Sequence, residues 1–573
     1  MQNYKLNGVK WKMSFLTAGI AFMVALCHAT EFPSAGGDIA SNGADGWNGT
    51  KPGSGEDAAF SHPGTYWASD NVTFGSVNLA TDGLVFDLTS GGGRTVTLNG
   101  TTPVVGPTVA NATTHLKGGS WNGENMTFQK IGEGYTLRLT DGALIRDSGT
   151  LSLGHGLINN LVVLDSGSEI HAATILLHRW GNTGTKLDVG GGSKVYVTGA
   201  FMVQQNGSAG SYFAGNHIVD VHDVDSLLQI GGDLNLGQFN SHNVVRIRNG
   251  AILSVMNTCV KMAGAGRHLL EVLNGATATV KKTEISTGGN RIVVSNAFYN
   301  VIEDISLGNA ASVTGNVMTV TGDESVFNWA GNVFGTGCGN VFELTDGAKW
   351  NMGGADDYTL MGGSSSNILR VTGGAVLANT NSPAGAVRLE IGVNNTTHGY
   401  NRIEILDGAI VNLEGFFVHG INNEVIVSNA TLKIDGTGYG IWLGRGANSS
   451  GNKLIIQGTT PSITLKEYKS ANGSSIRFDI PADGYADGYV PVTAKLNLST
   501  TSTEKFKIDC DAWVENPNAV RKLVLMRTTT DITPDQASWV LAQNSDLPDT
   551  VRLKVTKREV ILQKRTGFVL SFR

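Results

Sequence analysis

Residues 403–413 read IEILDGAIVNL, two short stretches of alternating apolar and polar residues on either side of an Asp-Gly pair. Such alternation is typical of a strand with one buried face, and Asp-Gly, Asn-Gly and Gly-Gly pairs are typical of tight turns. The same pattern recurs as LRLTDGALI at 137–145, VRIRNGAIL at 245–253, LEVLNGATATV at 270–280, FELTDGAKW at 342–350 and LRVTGGAVL at 369–377. The chain is therefore built from copies of one short unit.

Each copy continues in the same way. A third apolar stretch ends near a Gly, and an Asn then introduces the next copy, as at Asn243, Asn290, Asn340, Asn367, Asn401 and Asn452. The copies are about 26 residues apart on average, which is shorter than a propeller blade and far shorter than a sandwich domain. Three short strands without a crossover helix predict an all-β solenoid, in which each strand pairs with its equivalent one coil away.

The stretch at 403–413 also predicts which side chains face the core and what its acid does. The inward set is Ile403, Ile405, Ala409, Val411 and Leu413. The residues at the corner position of the copies are Asp141, Asn249, Asn274, Asp346, Gly373 and Asp407. Interchange among Asp, Asn and Gly indicates a requirement for turn conformation and not for charge. The corner acids are therefore predicted to be turn residues and not ligands.

The repeat pattern of residues 80–475 resembles the right-handed parallel β-helix of the pectate-lyase-like superfamily. It is closer still to the repeat-rich passenger regions of bacterial autotransporter-like surface proteins. The resemblance implies a right-handed parallel β-helix with three-strand coils. After about residue 475 the repeat fades, and the short apolar stretches there predict a β-rich C-terminal cap. Proteins of the pectate-lyase type can cleave acidic polysaccharides, with acids of neighbouring coils that hold calcium and a basic side chain that takes a proton.

The N-terminus has the parts of a secretory signal. Lys5, Lys10 and Lys12 precede an apolar run at 13–26, and Ala29 provides a small residue for cleavage. The apolar run is short for a membrane span, which favours cleavage over the alternative of a membrane anchor. We therefore expect an extracytoplasmic protein, secreted or associated with the cell surface or outer membrane, without a transmembrane segment after cleavage.

Four segments follow from these patterns. They are a signal peptide at 1–29, a linker and N-terminal cap at 30–79, the β-helix array at 80–475 and the β-rich C-terminal cap at 476–573. Cleavage would leave 39 Lys and Arg against 48 Asp and Glu, a net charge of −9. No basic face is expected, so we expect no nucleic-acid partner. Cys259, Cys338 and Cys510 are distant and odd in number, which argues against a zinc site or a disulfide framework.

Candidate ligand residues are few. Asp356 and Asp357 lie in GGADDYTLMGG at 353–363 and are the candidates for a calcium site, although the repeating GGxGxD pattern of calcium-binding nonapeptides is absent. No other cofactor is expected. Asp220, His222, Asp223 and Asp225 form the densest group of acids and imidazole, which we interpret as a solvated surface in preference to a metal site.

Trp442 is the candidate for carbohydrate contact. It lies in GIWLGRG at 440–446, between two residues predicted to face inward, and should therefore point outward. An outward Trp either stacks on a sugar ring or packs under a loop. The motifs of zinc peptidases, serine hydrolases and P-loop nucleotide-binding proteins are absent from the sequence.

Two functions are consistent with the sequence. We favour a structural or adhesin-like β-solenoid without catalytic activity, whose partner is an extracellular glycan or another cell-surface component. The alternative is a carbohydrate-active enzyme, a polysaccharide lyase or glycosidase, on the same scaffold. A groove lined by two carboxylates and a basic side chain from adjacent coils would favour the enzyme.

Overall fold

The computed structural model describes residues 29–90, 93–107, 109–128, 134–154, 159–177, 184–203, 215–237, 242–308, 312–331, 333–334, 337–353, 357–360, 365–379, 388–391, 398–434, 440–498 and 505–565. The predicted signal peptide, apart from Ala29, and Asp356 lie outside these residues. The chain forms a right-handed parallel β-helix of about 16 turns with about 25 residues per turn, and 3% of it is helical. The predicted fold class is confirmed.

The first sheet is formed by the strand that precedes the corner of each coil. Consecutive strands pair in parallel without register shifts, as where Ile403 lies opposite Leu369 on one side and Val425 on the other. In chain order the strands are Gly37–Asp38, Gly64–Trp67, Leu84–Asp87, Thr113–Lys117, Thr136–Thr140, Leu161–Leu164, Lys186–Val189, Ile218–His222, Val244–Arg248, Leu269–Leu273, Arg291–Ser295, Val317–Thr321, Val341–Thr345, Ile368–Val371, Arg402–Leu406, Glu424–Ser428, Lys453–Gln457, Ser475–Asp479 and Lys505–Asp509.

The second sheet is formed by the strand that follows the corner. Its strands are Val72–Phe74, Thr95–Leu98, Ser120–Gly123, Leu144–Leu153, Glu169–Leu176, Lys194–Val197, Leu227–Ile230, Ile252–Met262, Thr277–Ile285, Phe298–Val301, Val326–Trp329, Lys349–Met352, Val376–Asn379, Ile410–Asn412, Thr431–Ile434, Ser462–Ser470, Val492–Leu498 and Lys522–Thr528. The longest of these bend and continue into the third sheet, with a register shift at the bend, as between Asp147 and Thr150.

The remaining strands of the third sheet are Thr30–Glu31, Ala58–Phe60, Val77–Leu79, Val104–Pro107, Thr127–Phe128, Phe201–Met202, Leu234–Asn235, Ile305–Ser306, Val333–Phe334, Asp357–Leu360, Arg388–Ile391, Gly415–Val418 and Ile441–Leu443. Parallel pairing thus runs from Thr30–Glu31 to Lys522–Thr528, so strands of both predicted cap segments join the stack.

The core lies between the three sheets. It is filled by the side chains at every second position of each strand. In the coil that begins at Arg402, the buried apolar side chains include Ile403, Ile405, Ala409, Val411 and Leu413, as predicted. Equivalent inward side chains stack directly on each other, because the coils share one register. The interior is therefore a continuous apolar column along the axis.

Both ends of the stack are covered. At the N-terminal end, Trp47 packs edge-on against Phe32, with ring centroids 4.8 Å apart, and Phe60 packs against Tyr66 at 4.9 Å. At the C-terminal end, Lys522–Thr528 pairs antiparallel with Glu559–Lys564, which pairs antiparallel with the strand Val551–Val555. Two helices complete this cap, Asp511–Glu515 and Pro534–Ala542. The last parallel strand edge is thereby paired within the chain.

The corner residues adopt the left-handed conformation that the sequence predicts for them. Asp407 has φ of 50° and Gly408 has φ of 80°. Asn249 and Asn274, at the same position, have φ of 57° and 53°. The Asp407 N–H donates to Ser428 O at 3.0 Å and the Gly408 N–H to Asn429 O at 2.7 Å, so the corner also links two coils. The turn conformation predicted for this position is confirmed.

Replacing Gly408 with Val should therefore lower the free energy of unfolding by about 2 kcal/mol, because a β-branched residue is strained at positive φ. Asp407→Asn should change it by less than about 0.5 kcal/mol, since Asn adopts this conformation readily. Urea denaturation of the two variants is the measurement. Equal losses in both would contradict the turn interpretation.

A ladder of buried side chains runs along the corner that precedes the first sheet. Each side chain accepts the backbone N–H of the equivalent residue in the preceding coil, at 2.8 to 3.4 Å. Its uninterrupted run has ten members, His217, Asn243, His268, Asn290, Asn316, Asn340, Asn367, Asn401, Asn423 and Asn452. Nearer the N-terminal end, Asn160 accepts the Tyr135 N–H at 3.3 Å in the same way. The Asn that introduces each copy in the sequence is thus a buried link between coils.

Candidate functional site

The outer face of the first sheet carries many charges, and they pair from coil to coil. The Arg370 guanidinium lies 2.6 Å from Glu343 Oε1 and 2.6 Å from Glu404 Oε2. Lys453 Nζ lies 3.1 Å from Glu424 Oε1. Alternating signs at neighbouring positions of a parallel sheet hold the coils in register. Carboxylates paired in this way already have cationic partners within the protein.

The group around Asp220 belongs to the same network. Asp220 is buried and accepts from Arg248 Nε at 3.0 Å, and Lys186 Nζ lies 3.5 Å away. Burial alone would raise the pKa of Asp220, but these two cations hold it below its ordinary value. His222 lies 3.3 Å from Asp188 and 2.9 Å from Asp223. Among the described residues, no group of three His, Cys, Asp or Glu side chains is placed to hold a metal ion.

Of the other acids considered from sequence, those that the structure describes lie apart from one another. Asp357 begins the strand Asp357–Leu360 of the third sheet, but its side chain, like Asp356, lies outside the described part of the chain. The calcium site therefore stays a prediction. Asp141, Asp346 and Asp407 lie at separate corners, each in the turn conformation.

The structure does bring charged and aromatic side chains together around Trp442. On the outer face of the third sheet, one column of four coils contains Glu390, Phe417, Trp442 and Lys469, each opposite the next. The segments that follow two of these strands add His419 and Arg445 to the same place. We call these six residues the Glu390 cluster.

Trp442 is half-buried between two cations. Lys469 Nζ lies 3.7 Å from the centroid of its ring, and the Arg445 guanidinium carbon lies 5.5 Å from it. Arg445 also lies over the Phe417 ring at 4.4 Å, and the two rings meet edge-on with centroids 6.1 Å apart. The neighbours Ile441 and Leu443 are buried, as predicted, so Trp442 projects outward. Cations at these distances are attracted to the ring faces.

A carboxylate and an imidazole face each other beside these rings. His419 Nδ1 lies 2.8 Å from the Arg445 carbonyl oxygen, which can only accept, so Nδ1 carries a hydrogen. Nε2 then points at Glu390 Oε2, 3.7 Å away, and Arg445 Nη1 lies 3.4 Å from Glu390 Oε1. His419 is 1% exposed, whereas Glu390 keeps 20% of its side chain exposed. At 3.7 Å, Nε2 and Glu390 Oε2 are too far apart for a direct hydrogen bond, and Glu390 is accessible to a ligand.

The cluster therefore combines two abilities. The Trp442 ring offers an apolar face, and the cations and the Glu390 carboxylate offer hydrogen-bond partners. The sequence pointed to Trp442 but missed the other five residues, Glu390, Phe417, His419, Arg445 and Lys469. Only the coil register places them together, and the outward position of Trp442 was the one signal available.

A second concave region lies on the second sheet near the N-terminal end. It is an open groove of about 410 Å³ lined in part by Arg146, His171 and Tyr196, and the His171 and Tyr196 rings are 4.7 Å apart. Its buried acid, Asp147, accepts the backbone N–H groups of Asn125 and Met126 at 3.0 and 2.6 Å. That carboxylate is buried and stabilises the bend of the coil, whereas Glu390 keeps 20% of its side chain exposed.

Neither helix of the described residues is long enough to span a membrane. Comparisons with models of protein families, with curated proteins and with solved structures found no match for the chain.

Proposed function

We propose that the protein is a secreted or surface-exposed structural β-solenoid, adhesin-like and without catalytic activity, which binds an extracellular glycan at the Glu390 cluster. The observation that carries this proposal is the outward column of Glu390, Phe417, Trp442 and Lys469. It is a surface site in which the half-buried Trp442 lies beside charged side chains, while Phe417 is buried beneath the Arg445 guanidinium.

The scaffold supports such a role through its length and rigidity. About 16 turns at about 4.8 Å per turn give a rod roughly 75 Å long. The ladder of buried amides and imidazoles and the ion pairs of the first sheet link each coil to the next. A rod of this kind holds a site near its C-terminal end at a fixed distance from its N-terminal end.

The chemistry of the cluster fits a sugar. The Trp442 ring can cover the apolar face of a pyranose, while Glu390, Arg445 and the flexible Lys469 exchange hydrogen bonds with its hydroxyl groups. Lys469 lies over the ring in the unliganded chain, so a stacked sugar would displace its ammonium toward the rim. Secretion, surface location and the binding of a glycan are all proposed here.

A glycan array probed with the wild-type chain tests it. Wild type should bind at least one class of glycan, and Trp442→Ala should weaken that binding by at least about tenfold, because the stacking face is lost. Tyr196→Ala, which removes an outward aromatic from the second sheet, is the matched control and should bind like wild type. A Trp442→Ala variant that binds as well as wild type would exclude this cluster.

The Glu390–His419 pair favours a second candidate, a polysaccharide lyase or glycosidase, because such enzymes need a group that exchanges a proton with the substrate. The glycans that bind should therefore be incubated with the protein and examined for shortened products. The non-catalytic proposal expects none. Products from the wild type, and none from a Glu390→Gln variant that still binds, would establish the enzyme instead.

A further inference from the structure

The outer face of the second sheet is almost free of charge over eight coils. Between the strands Leu227–Ile230 and Ile410–Asn412, each coil presents two outward positions, and Lys349 is the one charged residue among the sixteen. We call this surface the second-sheet face. In the same coils the first sheet presents ion pairs such as Arg246–Glu271 and Arg370–Glu343. The first sheet is thus much more highly charged than the second-sheet face.

Exposed apolar surface gathers on this face. Ten large hydrophobic side chains of the described residues are exposed. Six of the ten lie on the second-sheet face or at its edges, namely Val224, Ile252, Met256, Phe298, Ile302 and Ile410. Phe298, for example, remains 43% exposed in the middle of the face. Concentration of exposed apolar side chains in one patch is typical of an interaction surface.

The polar positions of the face are already satisfied within the chain. Asn300 Nδ2 donates to Thr279 Oγ1 at 3.1 Å, Asn328 Nδ2 to Asn300 Oδ1 at 2.7 Å, and Asn351 Nδ2 to Asn328 Oδ1 at 2.9 Å. Removing water from amides that keep these partners costs less than removing it from unpaired amides. The face can therefore be covered without leaving these donors unpaired.

The pattern of the face is symmetric about its middle. The first outward position of each coil forms one column of eight residues. Six of them are apolar, namely Leu227, Ile252, Phe298, Val326, Val376 and Ile410. The column's two polar residues, Thr277 and Lys349, are third from either end. Rotation by 180° about an axis between Phe298 and Val326, parallel to the strands, therefore places apolar on apolar and polar on polar. The same rotation maps the bonded run from Thr279 to Asn351 onto itself.

We propose that two copies of this chain associate through the second-sheet face, antiparallel and related by this two-fold axis. In the dimer Phe298 faces Val326 of the partner subunit, and Ile252 faces Val376 of the partner subunit. The outward residues of this face repeat once per coil. A second copy, turned by this rotation, therefore presents residues of the same spacing and the same polarity. Lys349 is exposed and keeps its ammonium in water at the rim.

The area is sufficient. Eight coils at about 4.8 Å give a length of ~38 Å, and four residues at ~3.4 Å give a width of ~14 Å. Each copy contributes ~530 Å² and the pair buries ~1,100 Å², which is at the lower end for specific interfaces. The two copies also meet on the side that carries the least charge, so the negative charge of the chains opposes association least there.

Sedimentation velocity over a wide range of protein concentration tests the dimer. Wild type should sediment as a dimer, and Phe298→Lys should weaken self-association by about a thousandfold, since each dimer would contain two introduced ammonium groups. Val317→Lys, an outward substitution on the first sheet, is the matched control and should remain dimeric. A monomeric wild type, or a Phe298→Lys variant that is still dimeric, would overturn the proposal.

Cross-linking tests the orientation. Ser254 should face Ala378 of the partner subunit, so the double variant Ser254→Cys with Ala378→Cys should form dimers with a short bismaleimide. Each single variant should not, because its two thiols lie far apart. Cys338, which is half-buried, is replaced by Ser throughout. Efficient cross-linking of either single variant would exclude the antiparallel register.

Discussion

Replacing Asn316 with Leu is expected to lower the free energy of unfolding by about 4 kcal/mol. Asn316 is fully buried, and its Oδ1 accepts the Asn290 backbone N–H at 2.9 Å and Asn290 Nδ2 at 3.1 Å. Its Nδ2 donates to the Leu307 carbonyl at 2.6 Å. Leucine has a similar volume but no polar atoms. The Asn290 N–H and the Leu307 carbonyl would therefore lose these bonds, at about 1–3 kcal/mol each before relaxation, while Asn290 Nδ2 would keep its bond to the Thr287 carbonyl at 2.7 Å.

Urea denaturation of the purified chain is the measurement. Two further variants separate the ladder from simple loss of an amide. Asn316→His should be much less destabilising, because His217 and His268 already fill ladder positions through Nδ1. Asn412→Leu, an exposed outward position, should cost less than about 0.5 kcal/mol. Similar losses for Asn316→Leu and Asn412→Leu would contradict the role of the ladder.

Replacing His268 with Asn is expected to make the protein more resistant to acid. Nδ1 of His268 accepts the Asn243 N–H at 3.4 Å and Nε2 donates to the Ala263 carbonyl at 2.7 Å, so the ladder holds the neutral imidazole. Burial lowers the pKa of His268 from 6.5 to about 4. Below pH 6.5 the unfolded chain binds a proton that the folded chain does not. Stability therefore falls as the pH drops from 6.5 to about 4, by about 3 kcal/mol, and this contribution is constant below that.

Stability of the wild type and of His268→Asn should be measured by urea denaturation at intervals between pH 7 and pH 4. Every other titrating group is common to the two proteins, so the difference between the two profiles isolates His268. The difference should change by about 3 kcal/mol in favour of the variant across this window. Parallel profiles would show that His268 does not titrate as its buried place in the ladder requires.

Much of the fold could be predicted because its rules are local. A corner such as Asp407-Gly408 needs two consecutive residues at positive φ, and few residue types allow this, so the turn is visible in the sequence. The inward positions beside it follow from strand alternation alone. The ladder was only half visible. The sequence shows that an Asn introduces each copy. Its bond to the neighbouring coil, and its replacement by His at two positions, depend on tertiary contacts.

The Glu390 cluster could not be predicted for a physical reason. Glu390 and Trp442 share a column because intervening coils bring them into register, and coil lengths in this chain are not constant. Successive ladder bonds span 22 residues at one place and 34 at another. Counting along the sequence therefore does not say which outward residues are neighbours. Trp442 was identified from its own strand, and its partners needed the stack.

The same variation in coil length has a consequence for how such a chain can change. The ladder bond has nearly the same length whether 22 or 34 residues lie between its two ends, at 2.9 and 3.1 Å. An insertion within a coil would therefore add a lateral loop and leave the rod as it is. Duplication of an entire coil, from one ladder residue to the next, would lengthen the rod by one step of about 4.8 Å. The length of the rod and the size of its lateral loops can thus change independently, in evolution or by engineering.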